Sequence, residues 1–116
     1  MARAKNNVAA NRRHKKVLKK ARGGFAGRSK LYRTAIETVH RGMRYSYRDR
    51  RARKREFRAL WIARISSAAK LSGTNYSSMM AGLKKAGVML DRKALADIAA
   101  RDMTTFTTLV GMATGH

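Results

Sequence analysis

The chain of 116 residues carries 28 Lys and Arg against 6 Asp and Glu, a formal net charge of +22, and it contains neither cysteine nor proline. This length suits one modest domain, and the lack of cysteine excludes a disulfide scaffold, an iron–sulfur site and a thiolate zinc site. The apolar runs are too short to span a bilayer, and no apolar stretch follows Arg3 and Lys5, so we expect a cytoplasmic protein without a secretory signal. Such a basic chain favours a polyanionic partner, above all nucleic acid.

The charge is unevenly distributed along the chain. Residues 1–70 hold 23 of the basic residues and 3 acidic ones, whereas residues 71–116 hold 5 and 3. The second part can therefore fold as a nearly neutral domain, while the first needs an external anion to neutralise it.

Residues 1–30 form a basic arm with eleven basic residues and no acidic one. Their few large apolar side chains do not offset the cost of ordering the backbone, so we expect the arm to be disordered alone and to order on a partner. A short basic helix over Arg12–Arg22 is predicted there, ended by Gly23, Gly24 and Gly27; a merely solvated polybasic tail is the alternative. The candidate nucleic-acid contacts are Arg3, Lys5, Arg12, Arg13, His14, Lys15, Lys16, Lys19, Lys20, Arg22, Arg28 and Lys30.

One long helix is predicted from Leu31 to about Leu71, because apolar residues recur there in steps of three and four. Met43 and Trp61, eighteen residues apart, project in the same direction. The helix would be about 60 Å long, which exceeds the diameter of a small domain. We therefore expect its basic part, residues 31–58, to project away from the core.

The middle of this helix has seven basic residues among positions 48–58. They point in nearly every direction, and a helix that is polar all round is either solvated or bound to something polar. Because the neighbouring arm is also basic, we interpret the segment as a nucleic-acid contact. The candidates along the helix are Arg33, Arg48, Arg50, Arg51, Arg53, Lys54, Arg55, Arg58 and Arg64.

Residues 59–116 have the pattern of a small globular, all-helical domain. Gly73 is a candidate helix terminator, Thr74 or Asn75 a candidate cap of the next helix, and Asp91 and Asp102 candidate caps of two more. We predict that the core is anchored by Leu60, Trp61, Ile65, Tyr76, Leu83, Leu95, Ile98, Phe106 and Leu109.

Other apolar residues receive less definite assignments. Residues 88–90 are predicted to be a short buried linker, and the methionines lie mostly at core spacing: Met43, Met79, Met80, Met89, Met103 and Met112. Trp61 fits a core anchor better than a base-stacking residue. The aromatic residues interleaved with arginine, namely Tyr32, Tyr45, Tyr47 and Phe57, could stack on unpaired bases, and the sequence leaves open which of them do.

Catalysis and metal binding are poorly supported. Asp91, Asp97 and Asp102 are not spaced as a paired-acid site, and His14, His40 and His116 do not supply three convergent ligands, so we expect no metal and no cofactor. We expect His14 to stack on or hydrogen-bond to RNA. The glycine-rich segment 23–29 lacks the Gly-Lys-Ser/Thr ending of a phosphate loop. An enzyme is therefore the least supported interpretation, behind binding of RNA and binding of duplex DNA.

The polyanion itself has several candidates. A helix on anionic lipid needs a wide apolar face, which residues 48–58 lack, so we expect no membrane contact. No helix-turn-helix, sustained heptad or Cys/His finger is present, although an architectural duplex-DNA protein remains the alternative. A flexible basic arm beside a basic helix suits a deep, folded RNA better, because the arm can thread between RNA helices and neutralise their phosphates.

Specific motifs add a family resemblance. Residues 54–66 read KREFRALWIARIS, a long and specific mixture of basic and apolar positions, and shorter supporting motifs lie at 12–16, 28–33, 47–51, 82–86 and 91–97. Over its whole length the chain resembles the bacterial L-twenty family of large-subunit ribosomal proteins. It departs mildly at Asn6, Asn7 and Met103, where more basic residues and a proline are usual.

The resemblance implies more than the residues alone predict. It implies a structural constituent of the large ribosomal subunit that binds 23S ribosomal RNA directly, promotes early assembly and takes no part in peptide-bond chemistry. It also implies a fold of N-terminal extension, long helix and small helical domain, with neighbouring ribosomal proteins as partners. Some family members repress their own mRNA through the C-terminal domain, which would make Lys84, Lys85, Arg92 and Lys93 a second RNA surface.

Overall fold

The structure, a computed structural model, describes residues 7–115 and consists over that range of helices and the turns that connect them, which confirms the predicted all-α fold class. The described part of the chain contains six helices: α1 (Val8–Lys20), α2 (Gly27–Lys30), α3 (Tyr32–Leu71), α4 (Tyr76–Lys85), α5 (Arg92–Arg101) and α6 (Met103–Thr114). None of these helices is both long and apolar enough to cross a bilayer.

Helix α1 lies inside the segment predicted as the basic arm, but its bounds differ from the predicted Arg12–Arg22. It begins four residues earlier, since Ala9 and Ala10 are strong helix formers and the Asn7 carbonyl accepts from the Asn11 N–H at 2.8 Å. It ends at Lys20, and Gly23 then adopts a left-handed φ of 92°. The described part of the arm is therefore helical, with a glycine turn after the helix.

The long helix α3 ends as the sequence predicts. Gly73 has a left-handed φ of 78°, and its N–H donates to the Lys70 carbonyl at 3.1 Å. The Thr74 N–H donates to the Ala69 carbonyl at 2.9 Å, which completes a Schellman motif. Gly87 ends α4 in the same way. These two glycines satisfy the last carbonyls of their helices and reverse the chain.

The chain forms two compact units, which we call the N-terminal unit (Met1–Arg51) and the C-terminal unit (Ala52–His116). Helix α3 contributes residues to both. The three-part division predicted from the sequence, with boundaries after residues 30 and 58, stays a prediction.

The N-terminal unit is held together by small contacts. Its buried side chains, within residues 7–51, are those of Ala21 and Ala35. The ring of His14 on α1 stacks on Tyr32 on α3, with centroids 3.9 Å apart. This unit therefore buries little apolar area, in keeping with its composition.

The C-terminal unit has a true hydrophobic core. Its largest fully buried side chains are Ile65, Met79, Leu95 and Phe106, supplied by α3, α4, α5 and α6 respectively. Leu83 and Leu109 complete the core, and Trp61, Tyr76 and Ile98 pack against it while half-buried.

The predicted caps position the last three helices. Asn75 is the N-cap of α4 and accepts from the Ser78 N–H at 2.8 Å. Asp91 caps α5 through the Ala94 N–H at 2.7 Å, and Asp102 caps α6 through the Thr105 N–H at 3.1 Å. The caps predicted from the sequence are confirmed, and of the two alternatives before α4 the structure selects Asn75.

Three expectations about apolar residues are wrong. Leu60 is 42% exposed, because it projects about 100° away from Trp61 on the helix and so misses the core-facing side. The 88–90 linker is not buried, since Met89 and Leu90 are exposed. Met79 is fully buried and Met80 partly buried, but the other four methionines assigned to core spacing are exposed, namely Met43, Met89, Met103 and Met112.

Candidate nucleic-acid interface

The N-terminal unit displays its cations to solvent. Every Lys and Arg side chain between residues 7 and 51 is exposed, against two acidic residues, Glu37 and Asp49. All the predicted basic contacts of this unit that the structure describes share that exposure. Arg3 and Lys5 lie outside the described residues. The unit therefore presents far more positive charge than its two carboxylates can neutralise.

Arginine and tyrosine alternate in contact along α3. The guanidinium of Arg48 lies 4.8 Å from the centroid of the Tyr45 ring, and that of Arg51 lies 4.4 Å from the Tyr47 ring, which Arg50 approaches at 5.9 Å. Both tyrosines are about half exposed. Such cation–π pairs hold planar groups at the surface, where an unpaired base can stack and a phosphate can pair with the guanidinium.

His14 has a partner within the chain. The structure stacks its ring on Tyr32, and the contact of this ring with RNA stays a prediction. The stack also occupies part of the Tyr32 ring, one of the four aromatics considered for base stacking. His14 and Tyr32 thus hold α1 beside α3 and position the basic residues of α1.

Arg48 is partly neutralised by its neighbour. Its Nε donates to the Asp49 carboxylate at 2.8 Å, and both side chains are exposed to solvent by half or more. The hydrogen bond and the charge of Asp49 raise the pKa of Arg48 above its already high ordinary value. Arg48 therefore keeps its charge, and Asp49 fixes its direction beside Tyr45.

The cations of the C-terminal unit fall into two groups. Those on α3, namely Arg53, Lys54, Arg55, Arg58 and Arg64, are exposed. Lys84, Lys85 and Lys93 are also exposed, but Arg92 is half-buried and its Nε donates to the Tyr76 hydroxyl at 2.9 Å. Arg92 thus links α5 to α4 in addition to any contact with RNA.

Sequence reasoning left four exposed cations unassigned: Arg41, Arg44, Lys70 and Arg101. Arg41 and Arg44 lie on α3 between Arg33 and Arg48, so their position in the same basic helix was the available signal. Arg101 is paired with Asp97 at 2.8 Å, four residues earlier on α5.

The acidic residues of the C-terminal helices have structural roles. Asp91 and Asp102 cap α5 and α6, and Asp97 pairs with Arg101. Hydrogen bonds from the Thr104 and Thr105 hydroxyls and from the Thr105 N–H lower the pKa of Asp102 to about 2. Among residues 7–115, no group of three potential metal ligands comes together.

These features define a class: a small all-α protein with an exposed cationic surface and one compact helical core. The sequence profile of the family described as Ribosomal protein L20 matches residues 3–109. The chain belongs to this family, which confirms the resemblance noted in the sequence. It is a family of structural ribosomal components and not of enzymes.

Curated relatives match over nearly their whole length. The chain is 56% identical to the large ribosomal subunit protein bL20 of Carboxydothermus hydrogenoformans over 113 residues, 97% of each chain. It is 54% identical to bL20 of Psychrobacter cryohalolentis over 110 residues, 95% of this chain and 93% of the relative. The bL20 of Acinetobacter baumannii is 52% identical over 115 residues, 99% of this chain and 97% of the relative.

Proposed function

We propose that this protein is a structural constituent of the large ribosomal subunit in the cytoplasm, where it binds 23S ribosomal RNA directly and promotes early assembly. The observation that carries the proposal is the exposure of every described Lys and Arg in the N-terminal unit, together with family membership. A surface of this kind binds through its contacts with phosphates, each of which releases counterions. Neighbouring ribosomal proteins are its proposed protein partners.

The salt dependence of binding tests this function. We expect the affinity of the full chain for 23S ribosomal RNA to fall steeply and log-linearly with salt concentration. The double variant Arg50→Gln/Arg51→Gln should weaken binding and reduce the slope by about 2, roughly one for each lost phosphate contact. The matched control Lys70→Gln/Arg101→Gln removes two cations that lie outside the proposed contacts and should leave the slope unchanged.

The same assay tests the alternative that the protein is an architectural duplex-DNA protein. Duplex DNA of equal length is added as competitor at equal salt. Large-subunit RNA should displace the DNA; a preference for duplex DNA would instead identify an architectural DNA protein, and a flat salt response would contradict the electrostatic basis of the proposal.

Repression of the protein's own mRNA is a second proposed function, supported by cations at two helix ends. Lys84 and Lys85 lie in the last turn of α4, where a positive charge interacts favourably with the helix dipole. Arg92 and Lys93 lie in the first turn of α5, where the interaction of a positive charge with the dipole is unfavourable. Cations in the first turn do not serve helix stability, so we assign Lys93 a contact with RNA.

A reporter fused to the protein's own mRNA leader tests the repressor role. Lys85→Gln/Lys93→Gln should relieve repression, whereas Lys70→Gln/Arg101→Gln should keep it. Equal repression by both variants, or none by the unmodified chain, would contradict this second function.

A further inference from the structure

We propose that a groove on the N-terminal unit binds a single unpaired guanine nucleotide of the RNA, a proposal that rests on the RNA-binding function above. The groove lies along α3 and is also lined by Arg28 of α2. Its volume of about 460 Å³ falls in the range of small-molecule sites, roughly 300–1,000 Å³. The groove therefore has room for one nucleotide.

Three groove residues form a row along one side of the helix. Glu37, Arg41 and Tyr45 are spaced four residues apart, so their β-carbons are about 5–6 Å from one to the next. The row offers a carboxylate, a guanidinium and an aromatic ring in succession. These are an acceptor for base N–H groups, a partner for phosphate and a stacking surface, the three elements that single-stranded RNA recognition uses.

Glu37 is the distinctive member of the row. It is the only acidic residue before Asp49 in the chain, and its neighbours along the chain include many of the cations proposed to contact RNA. Within residues 7–115 it forms no ion pair, although Arg33 and Arg41 lie one turn to either side. A carboxylate in this place repels phosphate, so its value to an RNA-binding surface lies in accepting hydrogen bonds from a base edge.

Guanine fits this carboxylate better than the other bases. Its Watson–Crick edge presents two adjacent N–H donors, N1–H and N2–H, which match the two oxygens of one carboxylate. Adenine and cytosine offer an amino donor beside a ring-nitrogen acceptor, which repels the second oxygen. Uracil offers one donor between two carbonyl acceptors. The geometry of the donors therefore selects guanine.

The remaining walls favour a planar anionic ligand. Arg28 and Arg41 supply the positive charge for its phosphate. One side of the Tyr45 ring is covered by Arg48, which does not line the groove, so another part of the ring is left for the base. The floor includes Gly42, where an added β-carbon would meet no atom within 4 Å. Backbone geometry does not require this glycine, and its absent side chain leaves the groove open.

Fluorescence anisotropy with labelled RNA pentamers tests the proposal on the full chain. The probes are UUGUU, UUAUU, UUCUU and UUUUU at one fixed salt concentration. We expect UUGUU to bind at least about fivefold more tightly than UUUUU, the lower end of the discrimination by a bidentate base contact. Glu37→Gln should abolish this ratio, because an amide presents an N–H towards guanine N1–H. The matched control Glu56→Gln removes the other glutamate of α3, which lies outside the groove, and should keep the ratio.

The outcomes separate the site from general RNA binding. If Glu37 only repels phosphate, Glu37→Gln will strengthen binding of all four pentamers equally and the base ratio will stay unchanged, which overturns the proposal. Equal affinity of the unmodified chain for all pentamers, with the steep salt dependence intact, also overturns the guanine site while leaving the proposed function in place. A chain that binds neither the pentamers nor ribosomal RNA would overturn both the guanine site and the proposed function.

A second variant tests the site from its floor. Gly42→Leu places a branched side chain in the open groove and replaces glycine with a good helix former, so α3 should stay intact. It should remove the guanine preference without changing the salt slope. A preference that survives Gly42→Leu would show that guanine binds elsewhere.

Discussion

The two units of this protein divide hydrophobic burial and positive charge between them. The C-terminal unit buries Ile65, Met79, Leu95 and Phe106 completely, whereas the largest fully buried side chain described in the N-terminal unit is an alanine. The N-terminal unit has 15 exposed Lys and Arg side chains within residues 7–51 and two acidic residues, so it gains the least from its own contacts and the most from a polyanion. We therefore expect the C-terminal unit to fold by itself and the N-terminal unit to depend on a partner for stability.

The largest effect on the free energy of unfolding should come from replacing a buried phenylalanine by alanine, and an exposed phenylalanine in the other unit is the matched control. Phe106 is completely buried in the C-terminal unit, and Phe25 is 88% exposed in the N-terminal unit. Phe106→Ala should lower the free energy of unfolding by about 3–5 kcal/mol, because it leaves a cavity in the core. Phe25→Ala should change it by less than about 0.5 kcal/mol.

Urea unfolding followed by the fluorescence of Trp61 measures this contrast. Trp61 is the only tryptophan and packs against the C-terminal core, so it reports on that unit. Far-UV circular dichroism reports on all helices, and we expect it to lose signal at lower urea than the fluorescence. Coincident transitions, or equal costs for the two phenylalanines, would contradict the division into a core unit and a partner-dependent unit.

A glycine pair gives effects of opposite sign. A β-carbon at Gly82 of α4 would come within 2.0 Å of the Ala113 carbonyl oxygen of α6, whereas one at Gly42 would meet nothing within 4 Å. Gly82→Ala should therefore destabilise the C-terminal unit by about 1–3 kcal/mol, since two helix backbones must separate. Gly42→Ala should stabilise α3 by about 0.5–1 kcal/mol, the ordinary gain in a helix interior. Thermal unfolding monitored by circular dichroism measures both, and a stabilising Gly82→Ala would show that α4 and α6 approach less closely.

The sequence predicted the elements of this fold more reliably than its contacts. Local signals predicted the caps at Thr74 or Asn75, at Asp91 and at Asp102, and the left-handed glycine at Gly73, because these depend on residues three or four positions apart. Leu60 was misassigned because an apolar residue beside Trp61 resembles a core residue unless its angle around the helix is measured against the other core positions.

The candidate site also has features that the sequence predicts and features that depend on tertiary contacts. Exposure of cations such as Arg50 follows from composition, since few acidic residues exist to pair with them. The His14–Tyr32 stack joins α1 to α3, and the groove is lined by Arg28 of α2 together with residues of α3. Both therefore depend on how the chain turns between residues 21 and 31. That turn includes Ala26 at a positive φ of 50°, a conformation that the identity of an alanine does not signal.

A histidine pair tests how weakly the N-terminal unit is joined. Helix α1 has 13 residues and buries none, so it is too short to be stable alone and depends on contacts such as the His14–Tyr32 stack. His14→Ala should weaken its attachment by up to about 1 kcal/mol, the scale of an aromatic pair. Hydrogen exchange of the α1 amides should accelerate in His14→Ala and stay unchanged in His40→Ala, whose ring has no such described contact. Unchanged exchange in both would show that α1 is held by other contacts.

The smallest predicted effect is a change in the stability of the C-terminal unit at acidic pH. Hydrogen bonds from Thr104 and Thr105 hold the folded pKa of Asp102 at about 2, below its ordinary value of 3.8. Because the folded pKa is the lower one, the contribution of this carboxylate is complete above about pH 4 and is lost as the pH falls towards 2.

Asp102→Asn keeps a good N-cap for α6 but removes the titrating group. The urea midpoint reported by Trp61 should therefore fall less between pH 4 and pH 2 in Asp102→Asn than in the unmodified chain. Asp97→Asn, which removes a carboxylate that caps no helix, should keep the original acid sensitivity. An identical fall in all three chains would show that the acid sensitivity of this core does not arise at the start of α6.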